Sequence, residues 1–277
     1  MTEEAHKTLS VAVVSGKGGV GKTNLALNLG YALHKAGHPV LLMDCDLGLA
    51  NLDVLLGLAP DKTLQDMLQP GTTSAEVVVP IEPGGFDFLP SASGAPELID
   101  LDEDLQRLLF SKLNSIIGSY DYLLMDLGAG ISRTVLSFAA MAQERLVVIT
   151  PEPTSLTDGY AMIKVLHTEY GVATFNVVVN MADTRAQGDR SFERLAAACK
   201  RFLSLDIGYV GAVRSDPAVV QAVIRQVPLL KHAPTSEAGR DILGLAVKFK
   251  RMRDRRLPTL SAERILADIP SAIRNSS

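Results

Sequence analysis

Short runs of β-branched and aliphatic residues alternate along the chain with longer segments whose apolar residues recur every three to four positions. Six runs, Leu9–Val14, Val40–Met43, Tyr122–Met125, Leu146–Ile149, Asn176–Val179 and Ile207–Val213, are apolar almost throughout. A strand covered on both faces reads this way, whereas a half-exposed strand alternates. With helical segments between most of them, the order predicts an α/β fold: a doubly wound, mostly parallel β-sheet flanked by helices. Between the second and third runs, Pro70–Pro96 is rich in Pro, Gly and Ser. Short strands are expected there at Val77–Val79 and Phe86–Leu89, as edge strands and loops of the same domain. From Ser236 the pattern is helical to about Arg256 and is broken at Pro258. The chain thus divides into a domain over 1–256 and a tail over 257–277. In the tail, Ala262, Ile265, Leu266, Ile269 and Ile273 fall at helical spacing, with Glu263, Arg264 and Asp268 elsewhere on the wheel. Packing on the core and lying on a membrane surface both suit that pattern.

Composition narrows the function classes. The 277 residues carry 27 Lys+Arg against 31 Asp+Glu, a formal charge of −4, which excludes a protein basic throughout of the kind that coats nucleic acid. The charge is polarised: Lys248–Arg256 holds six basic residues and one acid, hence +5, leaving −9 elsewhere. That collar beside the tail suits an anionic lipid surface, and it suits DNA as well. The longest stretch free of charged side chains, Tyr170–Ala182, is too short to span a bilayer. The N-terminal segment has no apolar secretory core, so a cytoplasmic protein with Cys45 and Cys199 as free thiols is expected. Trp is absent and aromatics are 5%, against a stacking platform for single-stranded nucleic acid.

The chemistry concentrates at the ends of the apolar runs. After the first comes Gly16-Lys17-Gly18-Gly19-Val20-Gly21-Lys22-Thr23, and a helix opens at once, which is the spacing and context of a phosphate-binding loop. Glycines let consecutive backbone N–H groups converge on phosphate oxygens at the positive end of the helix. Gly18, Gly19, Val20, Gly21, Lys22, Thr23 and Asn24 form the expected nucleotide-binding set. Lys22 is placed to reach the β- and γ-phosphates and the Thr23 hydroxyl to ligate Mg²⁺. Asp44 and Asp46 close the second run two residues apart, on one side if the strand persists, with capping of the next helix as the other reading. Asp53 reads as a helix-start or loop carboxylate. Asp126 closes the third run as the acid that holds Mg²⁺, usually through water, and Gly128 and Gly130 follow it in a turn able to respond to the γ-phosphate.

Two later run ends suit a base. The Asn180 amide donates and accepts at once and matches an adenine edge. Arg214 offers a cation to stack on the ring, and Asp216 before Pro217 reads equally as a helix cap. Met181 stands where a guanine-reading pattern would carry Lys, which favours ATP over GTP. In Pro151-Glu152-Pro153-Thr154, Thr154 is a candidate cap, and Glu152 is either a surface residue or a partner for a lysine such as Lys17 across a dimer.

The loop GKGGVGKT resembles the deviant Walker A motif of the MinD/ParA family of P-loop ATPases, and the resemblance runs from Leu9 to about Lys250. It implies that Lys17 reaches across a homodimer to the partner's nucleotide. It also implies that Asp46 orients or activates the attacking water, so that Asp46, Lys17 and Lys22 carry catalysis. Thr23, Asp44 and Asp126 would then form the Mg²⁺ site, and Asn180 would contact the base. Asp46–Asp53, Gly128–Ser132 and Pro151–Ser155 look most like the flagellar-number regulators of the FlhG/FleN branch. The implied protein is a Mg-ATP-dependent dimerising ATPase that sets flagellar number or placement and associates reversibly with the inner face of the cell membrane. A flagellar GTPase, a transcription activator or a switch-complex protein would be its partner. The few residues before Leu9 leave no room for the glutamine-bearing motif with which some relatives stimulate a GTPase. Cys45 and Cys199 do not supply the paired cysteines of the iron–sulfur-binding branches. A MinD-like division-site role, a ParA-like partitioning role on nonspecific DNA, and a nucleotide-gated scaffold with incidental turnover are the alternatives.

Overall fold

The computed structural model describes residues 7–46, 52–69, 71–91 and 103–260. Eight strands form one sheet: β1 (Leu9–Ser15), β2 (Val40–Cys45), β3 (Val79–Glu82), β4 (Phe86–Leu89), β5 (Tyr122–Ala129), β6 (Glu144–Ile149), β7 (Asn176–Ala182) and β8 (Gly208–Arg214). Their spatial order is β3-β4-β2-β5-β1-β6-β7-β8, all parallel except the β3–β4 pair. The helices are α1 (Lys22–Lys35), α2 (Leu52–Leu56), α3 (Glu103–Ile117), α4 (Arg133–Met141), α5 (Pro153–Tyr170), α6 (Arg185–Leu203), α7 (Pro217–Ile224), α8 (Leu229–His232) and α9 (Glu237–Arg256). The six apolar runs are all strands, and the helical pattern from Ser236 is α9, whose N-cap Ser236 accepts from the Gly239 N–H. The tail 261–277 and residues 47–51 and 92–102 lie outside the described residues.

Alternate residues of β1 enter two different apolar layers. Leu9, Val11 and Val13 pack with Leu25 and Leu29 of α1 and with Ile242, Leu245 and Phe249 of α9. Ala12 and Val14 pack with Leu113 of α3, Phe138 of α4, Met162 of α5 and Leu195 of α6. Each fully buried Val or Leu contributes roughly 1.5–3 kcal/mol relative to exposure, which is why the central strand is apolar on both faces. The chain runs to β2 on one side of β1 and to β6 on the other. Such a reversal of order opens a crevice at the C-terminal ends of the strands.

Three local expectations are corrected. Val77 ends a 3₁₀ turn, Ser74–Val77, and the strand is Val79–Glu82. The Pro83-Gly84-Gly85 turn sets the hairpin register from its own end, pairing Glu82 with Phe86 and Val79 with Phe88. The third apolar run continues through Ala129, because Cys45 pairs with Leu127 and Ser15 with Ala129, so Asp126 lies inside a strand. Thr154 does not cap α5. The cap is Glu152, since Pro153 already occupies the first helical position.

The N-terminal ends of the strands are closed by an ionic cluster in which both oxygens of Asp121 are bonded and His38 Nε2 is buried without a partner. Arg253 donates to the backbone carbonyls of Asp121 (3.1 Å) and Lys7 (3.0 Å) and to the Asp121 carboxylate (2.5 Å). The second Asp121 oxygen meets His38 Nδ1 at 2.6 Å. This cluster fastens the last turn of α9 under the sheet.

Candidate functional site

The loop between β1 and α1 lies at the reversal point of the sheet. Gly16 is obligatory by contact: a Cβ there would stand 2.2 Å from the Asp158 carbonyl oxygen of α5. Gly21 is obligatory twice over, with φ 78° and a notional Cβ 2.5 Å from Asn180 Nδ2. Gly21 also caps α1 without a side chain, which leaves the first N–H groups of the helix free for an anion.

Lys22 opens α1 and points into the crevice, where Nζ lies 2.6 Å from Asp126 Oδ1. Both side chains are buried, at 7% and 2% exposed. Asp126 is opposite Asp44 on the adjacent strand. Asp44 Oδ1 accepts from the Asp46 N–H at 2.9 Å, and its buried Oδ2 has no hydrogen-bond partner. Burial pushes the Asp44 carboxyl up to about 7, helped by the neighbouring Asp126 and Asp46 charges and opposed by the Asp46 and Leu52 backbone N–H groups. Burial likewise raises Asp126, against the pull of Lys22 and a hydrogen bond from Thr23. One of two adjacent buried carboxyl groups is therefore paired with a lysine, and the other has an open oxygen. Asp46 follows at the rim, its Oδ1 against Gly128.

Thr23, Asp126 and the open oxygen of Asp44 are hard oxygen donors grouped at the helix start, a donor set that fits Mg²⁺. The cap-free N–H groups fit phosphate. The sequence-predicted Gly18, Gly19, Val20, Gly21, Lys22, Thr23, Asp44, Asp46 and Asp126 are thus brought to one crevice. Asn24 lies on the next face of α1, its Oδ1 accepting from Asn28 Nδ2.

Of the remaining residues, Asp216 and Asp53 sit at helix starts as their sequence context suggested, whereas Lys17, Asn180 and Arg214 are placed differently from the expectation. Lys17 is bound within its own chain, its Nζ donating to Glu152 Oε2 (2.6 Å) and Thr154 Oγ1 (3.1 Å) at the start of α5. Asn180 does not end its strand, because β7 continues to Ala182; its Nδ2 donates to the Val20 carbonyl at 2.8 Å, so it props the phosphate loop. Arg214 ends β8, but its guanidinium is taken by Asp241 (Nε–Oδ2 2.8 Å) and Glu237 of α9. Asp216 is the cap of α7, accepting from the Ala218 N–H. Asp53 accepts from the Val54 N–H at the start of α2. Asp158, whose carbonyl backs Gly16, was not anticipated, and Thr154 was read only as a candidate cap. The first turns of α5, which meet the loop there, carry no motif of their own.

Comparisons with known proteins agree with this geometry. The ParA family model, described as the NUBPL iron-transfer P-loop NTPase, matches residues 7–249. The antiactivator FleN of Pseudomonas aeruginosa is 40% identical over 243 residues, covering 88% of this chain and 86% of that protein. The flagellum site-determining protein YlxH of Helicobacter pylori is 34% identical over 245 residues, 87% and 82% of the two chains. Among solved structures, the septum site-determining protein MinD of Pyrococcus horikoshii, complexed with Mg-ADP, superposes with TM-score 0.69 at 25% identity, covering 88% of this chain and 97% of that one. The chain belongs to the ParA/MinD family of P-loop NTPases.

Proposed function

We propose that this chain is a Mg-ATP-dependent ATPase that dimerises when ATP is bound and regulates flagellar number or placement. The observation that carries the reading is the buried Lys22–Asp126 pair at 2.6 Å beside the open oxygen of Asp44. A lysine held against an acid in low dielectric is a resting arrangement: a phosphate gives Lys22 a competing anion and frees Asp126. Bound Mg²⁺ supplies the charge that offsets the phosphates, held by Thr23, Asp126 and Asp44. Asp46, at the rim, orients the attacking water and accepts its proton, and Asn180 flanks the base, while Arg214 stays with Asp241 and Glu237. Lys17 leaves Glu152 to reach the nucleotide of a second copy. The Glu152–Lys17 pair is exposed on both sides, so breaking it costs at most about 1 kcal/mol.

The flagellar assignment is supported by likeness to the proteins named FleN and YlxH, over nearly the whole length of each. Partners are a flagellar GTPase, a transcription activator or a switch-complex protein. The iron-transfer description of the family model is not carried over. Cys45 is buried on β2 and Cys199 on α6, and no thiol pair is presented. Among the described residues no helix is long and apolar enough to cross a membrane. The location proposed is cytoplasmic, with reversible association to the inner face of the cell membrane. Lys22→Ala tests the site: ATP affinity, measured by calorimetry, is expected to fall at least about a hundredfold, the cost of losing a charged partner to phosphate. Retained affinity in a folded variant overturns the assignment.

A further inference from the structure

Three non-glycine residues among those described have left-handed backbone: Met181 (φ 56°), Ser204 (φ 52°) and Gln226 (φ 54°). Two of them follow helix ends, where that conformation is an ordinary way to stop a helix. Ser204 is the C-cap of α6, and Gln226 comes directly after the C-cap of α7. Met181 has no such setting. It lies inside β7, and its side chain gains no local hydrogen bond in the left-handed region, as Asn or Asp would. The cause is a bulge. From Val179 to Ala182 the strand takes three steps while β8 takes two, from Ala212 to Arg214, so Asn180 and Met181 together stand opposite Val213. An extra residue of this kind re-aims side chains.

Both side chains are aimed at the phosphate loop. Asn180 donates to the Val20 carbonyl, and the Met181 methyl reaches Gly21, where a Cβ would stand 3.1 Å from its Cε. That contact uses only the tip of the side chain: Met181 is 45% exposed, whereas Asn180 and Ala182 on either side are buried. A strained backbone therefore holds an apolar side chain open to solvent at the rim of a polar crevice, a combination that persists where a ligand covers it. Strand order indicates which part of the ligand that is. Asp44 and Asp126 lie on β2 and β5, to one side of β1, and Met181 lies on β7, to the other. β5 and β7 are three strand spacings apart, about 14 Å. A nucleotide whose terminal phosphate meets the acids, and whose phosphates follow the loop N–H groups, carries its nucleoside over the β7 side.

We infer that Met181 is a nucleotide-contacting residue, its thioether forming the apolar surface on which the face of the base lies. The inference rests on the nucleotide-binding reading above and adds to it the residue that holds the base by its ring. A thioether packs favourably against an aromatic ring and adapts its shape to it.

The experiment is calorimetric titration of the full chain with ATP, ADP and inorganic tripolyphosphate, each with Mg²⁺. Met181→Ala removes the thioether and keeps the backbone strained. It is expected to lose about three- to tenfold in affinity for ATP and ADP alike, the range of a sulfur–aromatic contact. Tripolyphosphate has no base, and its affinity should stay within about twofold, since the charged contacts that hold it are untouched. Met181→Leu restores an apolar face and recovers most of the loss. In urea, Met181→Gly is expected to unfold at a higher midpoint than Met181→Ala, because glycine takes the left-handed region freely. Equal loss for all three ligands makes Met181 a support of the loop alone and overturns the contact. Loss confined to ATP places the residue at the terminal phosphate and overturns it too, as does a Met181→Leu variant no better than Met181→Ala. A glycine midpoint at or below that of alanine overturns the strained bulge that aims the side chain. A wild-type chain that binds none of the three ligands brings down the nucleotide-binding reading itself. Binding of all three with unaltered affinities in Met181→Ala brings down this inference alone.

Discussion

Charge is buried at both ends of the β-sheet, and the two ends handle it differently. Below the sheet, Arg253 has two backbone carbonyls and a carboxylate, and the Asp121 carboxylate is shared with His38. At the crevice end, Lys22 has one carboxylate oxygen, and Asp44 keeps a buried oxygen with nothing to bind. Burying a charge is costly unless its hydrogen bonds are made. Each end keeps one buried orphan, His38 Nε2 below and Asp44 Oδ2 at the crevice. The difference lies in the carboxylates: both oxygens of Asp121 are bonded, whereas at the crevice the open atom is a carboxylate oxygen, the kind of group that can take a cation.

Substitutions at the two ends should therefore fail in different ways. The largest effect is expected for Asp46→Ala: steady-state ATP turnover falls by about 10²–10⁴, the range of a lost general base, with ATP affinity within a few fold. Unchanged turnover would remove Asp46 from catalysis. Next, Arg253→Ala should cost about 3–5 kcal/mol in urea unfolding and leave ATP affinity alone, since it strands Asp121 and His38 in a buried setting. If its affinity for ATP falls with stability intact, the two ends are coupled and the contrast between them fails.

Asp44→Asn should move stability the other way. Asp44 titrates at about 7 in the fold against an ordinary 3.8, so between about pH 4 and 7 the native state holds a proton that the unfolded chain has lost. Stability then falls as pH rises through that interval, by up to about 4 kcal/mol from this group. Asn has no proton to lose, so the variant's advantage in thermal midpoint over the nucleotide-free wild type should be near zero at pH 4 and widest above pH 7. A gap that does not grow with pH would mean that the open oxygen is ordinarily solvated. The smallest effect belongs to Glu152→Gln. It should change fold stability by less than about 1 kcal/mol, because both members of the pair are exposed, and shift ATP-dependent dimerisation by light scattering to a severalfold lower ATP concentration.

Much of this was legible in the sequence, for identifiable reasons. Strands buried on both faces leave uninterrupted apolar runs, so β1, β2, β5, β6, β7 and β8 could be read directly, although the end of β5 could not. What extends β5 past Asp126 is pairing with Ser15 and Cys45, which are distant in sequence. The phosphate loop was legible because its glycines are demanded by local backbone geometry. Its partners were less so. Lys22 and Asp126 are 104 residues apart, and no spacing rule reaches that far, while Lys17 and Glu152, 135 apart, were read as partners only across a dimer and only as one of two readings. Arg214 illustrates the limit: a cation after the last strand suits a base, and only the placement of α9 reveals that Asp241 and Glu237 already hold it.

The prop under the phosphate loop also bears on how the loop keeps its shape. Because the Val20 carbonyl can only accept, the Asn180 amide must turn its nitrogen toward it, which leaves its oxygen and its second N–H unspent by this contact. A side chain 160 positions away in sequence thereby fixes the backbone of the loop, and an Asp in its place would set two acceptors face to face there.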